Sequence, residues 1–181
     1  LAVAFVAVEY KLDPASIITA LLHDTVEDTD TTLTEIKELF GETVANLVEG
    51  LTKLSSIEIT SKEVLQAENY RKFIISISKD IRVLIIKLFD RYHNISTLSA
   101  FNKIEKRKRI ALETLNIYVP LAERMGMEKL QSFMSDICFK ELYPQEYYFI
   151  TDKLETLKEG GTNLIDPIID ELSALMTKYK M

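Results

Sequence analysis

The chain has 181 residues, 47% of them apolar and 28% charged, with a formal net charge of −6. That is enough chain for one domain with a sizeable core. The acidic balance argues against direct DNA binding, and no run of about 18 apolar residues is present to cross a membrane. Cys138, the single cysteine, rules out an internal disulfide and suits a reducing, cytoplasmic setting; its apolar surroundings suggest a packed thiol.

Taken in chain order, the elements read almost throughout as helix. "LAVAFVAV" at the start is too short for a membrane span and lacks the basic flank and cleavage site of a signal peptide. The chain starts at Leu1 rather than Met, so residues upstream are expected. Asp13-Pro14 is a helix start, Asp as cap and Pro in the first turn, and the apolar run Ile17 to Leu22 carries that helix to His23-Asp24. Thr32 and Glu35 form a capping box for a helix that Gly41 stops. Val44, Leu47, Val48 and Leu51 repeat as one buried face.

"LSSIEITS" from Leu54 to Ser61 has no helical period and reads as a loop, followed by a helix over Lys62 to Lys79. "DIRVLIIKLFDRYHNIST" is apolar nearly all round and too long for a usual strand, so a buried helix is expected. A long helix over Lys103 to Arg124 should kink at Pro120 and end at Gly126. Helices over Glu128 to Leu142, Gln145 to Lys158 and Leu164 to Tyr179 complete an all-α, irregular multi-helix bundle.

Two stretches concentrate chemistry. In "ALLHDTVEDTD", one turn of helix would pair His23 with Glu27 and Asp24 with Asp28. Imidazole and carboxylate suit a divalent transition metal, and further carboxylates could direct water or protons. The plainer alternative is a solvated acidic helix end with a capping histidine. In "LIIKLFDRYHNISTL", Asp90 follows an apolar run directly, a costly place for an acid unless a cation or hydrogen bonds satisfy it. Asn94 and Thr97 lie on the same face as Asp90. A metal shared by His23, Asp24 and Asp90 would account for two apolar helices each ending in acid; an Asp90–Arg91 or Asp90–Lys87 pair is the alternative. His93 lies off that face and reads as a structural or surface histidine. The basic run "KIEKRKR" reads as a solvated helix face, and the tyrosines of "YPQEYY" as packing at a helix junction.

A His-Asp dipeptide followed much later by Asp on a helical scaffold resembles the HD superfamily of metal-dependent phosphohydrolases. The blocks "LDPASIITALLHDTVEDTDTTLTEIKELFGETVANLVEGLTKL", "AENYRKFIISISKDIRVLIIKLFDRYHNISTL" and "YVPLAERMGMEKLQSFMSDICFKELYPQEY" resemble, in order, the hydrolase domain of the RelA/SpoT (p)ppGpp synthetase/hydrolases. The resemblance implies an HD-type hydrolase domain over 1–148 and, over 149–181, a helical extension leading toward a synthetase domain. It implies a guanosine-3′,5′-bis(diphosphate) 3′-pyrophosphohydrolase of the stringent response, dependent on one Mn²⁺.

By the same resemblance His23, Asp24 and Asp90 match three of four metal ligands, the fourth being a histidine of an His-Pro pair expected upstream of Leu1. Glu27 and Asp28 match the pair that handles the attacking water; Asn94 and Thr97 match nucleotide-contacting positions, and Asn69 and Arg71 fall in a matching block. The implied partner is (p)ppGpp, with a synthetase domain or ribosome-linked regulation in a longer parent protein. Phe89 stands where a small residue is usual, and Glu123 where a histidine is common. Two rival readings remain at this point: a catalytically inactive HD domain that binds nucleotide or protein, and an HD phosphohydrolase of another nucleotide.

Overall fold

The computed structural model describes residues 1–55 and 80–159, and among these every regular element is helical. Helices α1 (Ala2–Glu9), α2 (Pro14–Leu22), α3 (Thr25–Asp28), α4 (Leu33–Phe40) and α5 (Glu42–Ser55) form the first half. Helix α6 (Ile81–Ser96) leads through a 3₁₀ turn to α7 (Ile104–Glu113), a π turn (Thr114–Tyr118), α8 (Val119–Arg124), α9 (Glu128–Leu142) and α10 (Pro144–Glu159). The expected all-α bundle is what forms. The expected helices over Lys62 to Lys79 and Leu164 to Tyr179, with Asn69 and Arg71, lie outside the described residues.

Local chemistry sets the helix starts and stops. Asp13 caps α2 by accepting from the Ser16 backbone N–H at 3.1 Å and from its hydroxyl at 2.7 Å. The Thr32–Glu35 box closes in both directions, at 2.7 Å and 3.3 Å, and Gly41 ends α4 at φ 88°. Asp80 caps α6 through the Arg82 N–H at 3.0 Å, and the Arg82 guanidinium then ties Asp80 to Asp13 at 2.6 Å and 3.2 Å. The start of α6 is thereby clamped to the start of α2. Leu54, expected to open a loop, instead sits buried in the last turn of α5. The hydrophobic face of α5 continues that far, which outweighs the weak helical propensity of Ser55 after it; residues 56–61 of the expected loop lie outside the described residues.

Helix α6 is the spine. Its Val83, Leu84, Ile86, Leu88 and Phe89 enter the main core, which also draws on α1, α2, α5, α8 and α9. Phe89 is fully buried, with its ring 5.0 Å from that of Tyr10. Helices α5 and α6 meet at Gly50, where an added Cβ would lie 2.8 Å from a Val83 methyl. Two smaller clusters flank this core. One holds Ile36, Val44, Ala45 and Val48, and the other Ile95, Leu98, Ala111 and Cys138. Cys138 is fully buried, and burial pushes its thiol up to about 12, as suits a packing residue.

Between Ile104 and Arg124, where the sequence predicts a kink at Pro120, the helix is interrupted by a π turn just ahead of that proline. Pro120 has no N–H and its ring crowds the carbonyl of Asn116, so the turn widens into π geometry over Thr114–Tyr118 before α8 resumes. Gly126 then ends the helix at φ 68°. The basic run is a largely exposed face of α7, with Arg107 paired to Glu141 at 2.9 Å. The "YPQEYY" tyrosines depart from expectation in part: Tyr147 packs near Phe139, whereas Tyr148 is 59% exposed.

Candidate metal centre

The end of α2 and the middle of α6 build the site. Ala20 is fully buried, and its carbonyl accepts from His23 Nδ1 at 2.9 Å. A carbonyl can only accept, so Nδ1 carries the proton and Nε2 is the nitrogen offered to the site. Nε2 stands 2.9 Å from Asp24 Oδ2 and 3.7 Å from Asp90 Oδ1. Asp90 is buried, at 7% exposure, where α6 places it one residue after Phe89. Lys87 Nζ lies 2.9 Å from its Oδ2, and Asn94 Nδ2 donates to its Oδ1 at 3.0 Å.

Charge follows from this geometry. The hydrogen bond to Asp24, then the facing Asp90 carboxylate, push His23 up to about 10 against the opposing effect of burial. Burial alone would raise the Asp90 carboxyl, but the facing His23 imidazole and the Lys87 ammonium outweigh it and hold it well below the usual carboxylate range. Burial disfavours the Lys87 charge, and Asp90 overcomes that, so its ammonium is held above its ordinary value. A neutral Nε2 would turn its lone pair toward two carboxylate oxygens. Something positive, a proton or a cation, has to lie there.

Of the residues expected from sequence, His23, Asp24 and Asp90 come together. Asn94 joins them through Asp90. The Asp90–Lys87 pair, held open as an alternative, is also formed, whereas Arg91 pairs with Glu113 at 2.6 Å and stacks on Tyr118 at 4.2 Å. Glu27 and Asp28 are exposed on the four-residue α3. The expected single turn closes through Asp24 alone: its carbonyl accepts from Asp28 N at 2.9 Å and from Glu27 N at 3.1 Å. Helix α2 ends at Leu22, so the anticipated His23–Glu27 turn is replaced by a break at His23–Asp24. Thr97 is exposed at the end of α6, its hydroxyl donating to the His93 carbonyl at 3.2 Å. His93 is partly buried.

Imidazole nitrogen and carboxylate oxygen suit Mn, Fe or Zn, and a backbone carbonyl that fixes the tautomer is the support a ligating histidine needs. The donor chemistry therefore fits a divalent cation held by His23, Asp24 and Asp90. The arrangement is not closed around one: among the described residues, no group of three or more His, Cys, Asp or Glu side chains is set to hold an ion as they stand. What the sequence left unread here is the clamp of Ala20 on His23, a backbone contact that residue spacing does not reveal. The Lys87 contact with Asp90 follows the Lys-x-x-Asp spacing that made it one of the alternatives from sequence.

A family model described as HD domain matches residues 1–128. The chain belongs to the HD-domain family. The expected kinship with RelA/SpoT proteins holds as well. This HD chain is 45% identical over 178 residues to "GTP pyrophosphokinase rsh" of Brucella ovis, covering 98% of the chain and 24% of that protein. It is 47% identical over 173 residues to "GTP pyrophosphokinase" of Myxococcus xanthus, covering 94% of the chain and 23% of that protein. Against "Bifunctional (p)ppGpp synthase/hydrolase SpoT" of Escherichia coli K12 it is 42% identical over 171 residues, covering 94% of the chain and 24% of that protein. The HD chain thus spans about a quarter of the length of the curated relatives it matches. No helix among its described residues is long and apolar enough to cross a membrane.

Proposed function

We propose that this chain is the (p)ppGpp 3′-pyrophosphohydrolase part of a RelA/SpoT-type protein, releasing pyrophosphate and leaving GDP or GTP, with one Mn²⁺ held by His23, Asp24 and Asp90. The observation that carries this is the buried Asp90 facing a histidine whose Nδ1 is pinned to Ala20, so that Nε2 and two carboxylates surround a point requiring positive charge. A relative whose name includes (p)ppGpp hydrolase supports the substrate. When bound, the cation screens the phosphates and acidifies water. Without it, this acidic site would repel a polyphosphate.

The chain's own groups then divide the labour. Asp28 or Glu27, exposed beside Asp24, accepts the proton of the attacking water as oxygen adds to the phosphorus bonded to the ribose 3′ oxygen. The bond from phosphorus to the 3′ oxygen breaks, pyrophosphate leaves, and a proton returns to the 3′ oxygen. Asn94, which spends one N–H on Asp90, retains a second N–H and its carbonyl for the nucleotide, and the exposed Thr97 hydroxyl adds an acceptor. The reading predicts release of pyrophosphate from ppGpp with added Mn²⁺, abolished by Asp24→Ala. Release that survives Asp24→Ala would overturn the assignment of the metal site.

A second reading has its own support. Lys87 already neutralises Asp90, and the described residues do not close around an ion. Both favour a non-catalytic module that binds nucleotide or protein. Folded protein that binds ppGpp with no pyrophosphate release at any Mn²⁺ concentration would select it. Release from a different nucleotide in place of ppGpp would instead select an HD phosphohydrolase of another substrate.

A further inference from the structure

Building on the metal reading above, we infer that Lys87 is a positioning residue that restricts Asp90 to single-oxygen coordination and thereby sets which divalent cations the site accepts. The two oxygens of Asp90 are treated differently. Oδ1 takes one hydrogen bond, from Asn94 at 3.0 Å, and faces His23 Nε2 at 3.7 Å, with a lone pair left on the side of the site. Oδ2 is held by the Lys87 ammonium at 2.9 Å. Both partners are largely enclosed, with side chains 14% and 11% exposed, so water screens this contact little. Lys87 and Asp90 lie one turn apart on α6, and the helix holds the ammonium in place while the carboxylate is approached from the His23 side.

A cation that bridges both oxygens of Asp90 has to displace the ammonium or sit against its charge. A cation that uses Oδ1 alone does neither. Ca²⁺ takes many oxygens and often both of a carboxylate, whereas smaller ions that prefer octahedral or tetrahedral sets accept one oxygen per ligand. Lys87 therefore works against Ca²⁺ and in favour of Mn²⁺. It does so by occupying an oxygen, without becoming a ligand itself.

The test is isothermal titration calorimetry of the 181-residue chain with MnCl₂ and with CaCl₂, comparing wild type, Lys87→Met and Lys87→Gln. Methionine fills the space and frees Oδ2. The Mn²⁺-over-Ca²⁺ affinity ratio should fall about tenfold as Ca²⁺ gains the second oxygen. Glutamine removes the charge but keeps an N–H for Oδ2; it should tighten both ions and leave their ratio within about threefold of wild type. Circular dichroism checks that each variant is folded. An unchanged ratio in folded Lys87→Met, or a ratio in Lys87→Gln that collapses, would overturn the inference while leaving the metal site standing. If Lys87→Met does not fold, Lys87→Gln decides: tighter binding of both ions with the ratio kept supports the inference, and no tightening of either ion overturns it. Wild-type protein that takes up neither ion would overturn the metal reading itself.

Discussion

The two halves of the candidate site are built to different standards. The half on α6 is enclosed and over-determined: Asp90 has Lys87, Asn94 and His23 around it, in the middle of a 16-residue helix whose neighbours are core residues. The half on α3 is a four-residue helix with no buried residue, where Glu27 and Asp28 are exposed and, among the described residues, bonded through their backbone N–H groups. His23 is the joint between them, fastened to α2 by Ala20 and facing both acids. The contrast separates two demands on a hydrolytic site. Groups that hold charge in place benefit from a rigid, dry setting, whereas groups that exchange protons with water have to stay in reach of it.

Substitutions can break that contrast or sharpen it. The largest effect belongs to Asp90→Ala, which removes the buried carboxylate from Lys87 and His23; a loss of about 3–5 kcal/mol in urea unfolding is expected, together with loss of Mn²⁺ binding. A loss below about 1 kcal/mol would mean the inner half is not the rigid one. Next come Glu27→Gln and Asp28→Asn. At least one should slow pyrophosphate release about 10²-fold or more, while both leave stability within about 0.5 kcal/mol of wild type. Equal costs to folding and activity would erase the distinction between the halves.

Gly50→Ala tests the footing of α6. Its new methyl would meet Val83 at 2.8 Å, and overpacking there should cost about 1–3 kcal/mol in thermal or urea unfolding. The smallest effect is expected at the start of that helix. Asp80→Ala removes the N-cap and should cost about 1 kcal/mol at neutral pH. The hydrogen bond from Arg82 lowers the Asp80 carboxyl, and bonds from Ser16 and Arg82 lower that of Asp13. Carboxyls depressed by folding stabilise fully above their unfolded values near 4 and lose that contribution as pH falls through the folded ones. Urea midpoints between pH 5 and pH 2 should therefore fall less steeply in Asp80→Ala than in wild type.

How much of this was legible beforehand depended on the range of the interaction. Asp13, Thr32, Gly41 and Gly126 act within one turn of themselves, and the elements they bound appear where their chemistry places them. Asp90 was legible as a buried acid because its own helix is apolar on either side. The partner that neutralises it was not decided, since Lys87, Arg91 and a metal all satisfied the same one-dimensional pattern. Packing assigned Arg91 elsewhere, to Glu113 and Tyr118. The end of the second helix at His23–Asp24 was legible where its apolar run stops, but the His23–Glu27 turn was not decided by spacing: helical period continues smoothly in the letters "LLHDTVED", whereas the side-chain contacts of His23 and the restart at Thr25 belong to three dimensions. The π turn was announced by Pro120 only as a kink.

That π turn has a consequence for how the chain can change. A π turn carries one residue more than an α turn, which rotates everything beyond it by about 100° relative to an unbroken helix. Because of that rotation one continuous stretch serves two interiors, Ala111 entering the cluster with Cys138 while Val119, Leu121 and Ala122 enter the main core. Tyr118, at the end of the turn, lies under the Arg91 guanidinium. Removing one residue between Thr114 and Tyr118 would take out the extra residue and leave both faces directed as they are, whereas closing the turn to α geometry with every residue kept would swing one face by about 100°. The turn is thus the place where this stretch can lose a residue and keep both interiors in register, and single-residue deletions should be tolerated better there than within α7 or α8.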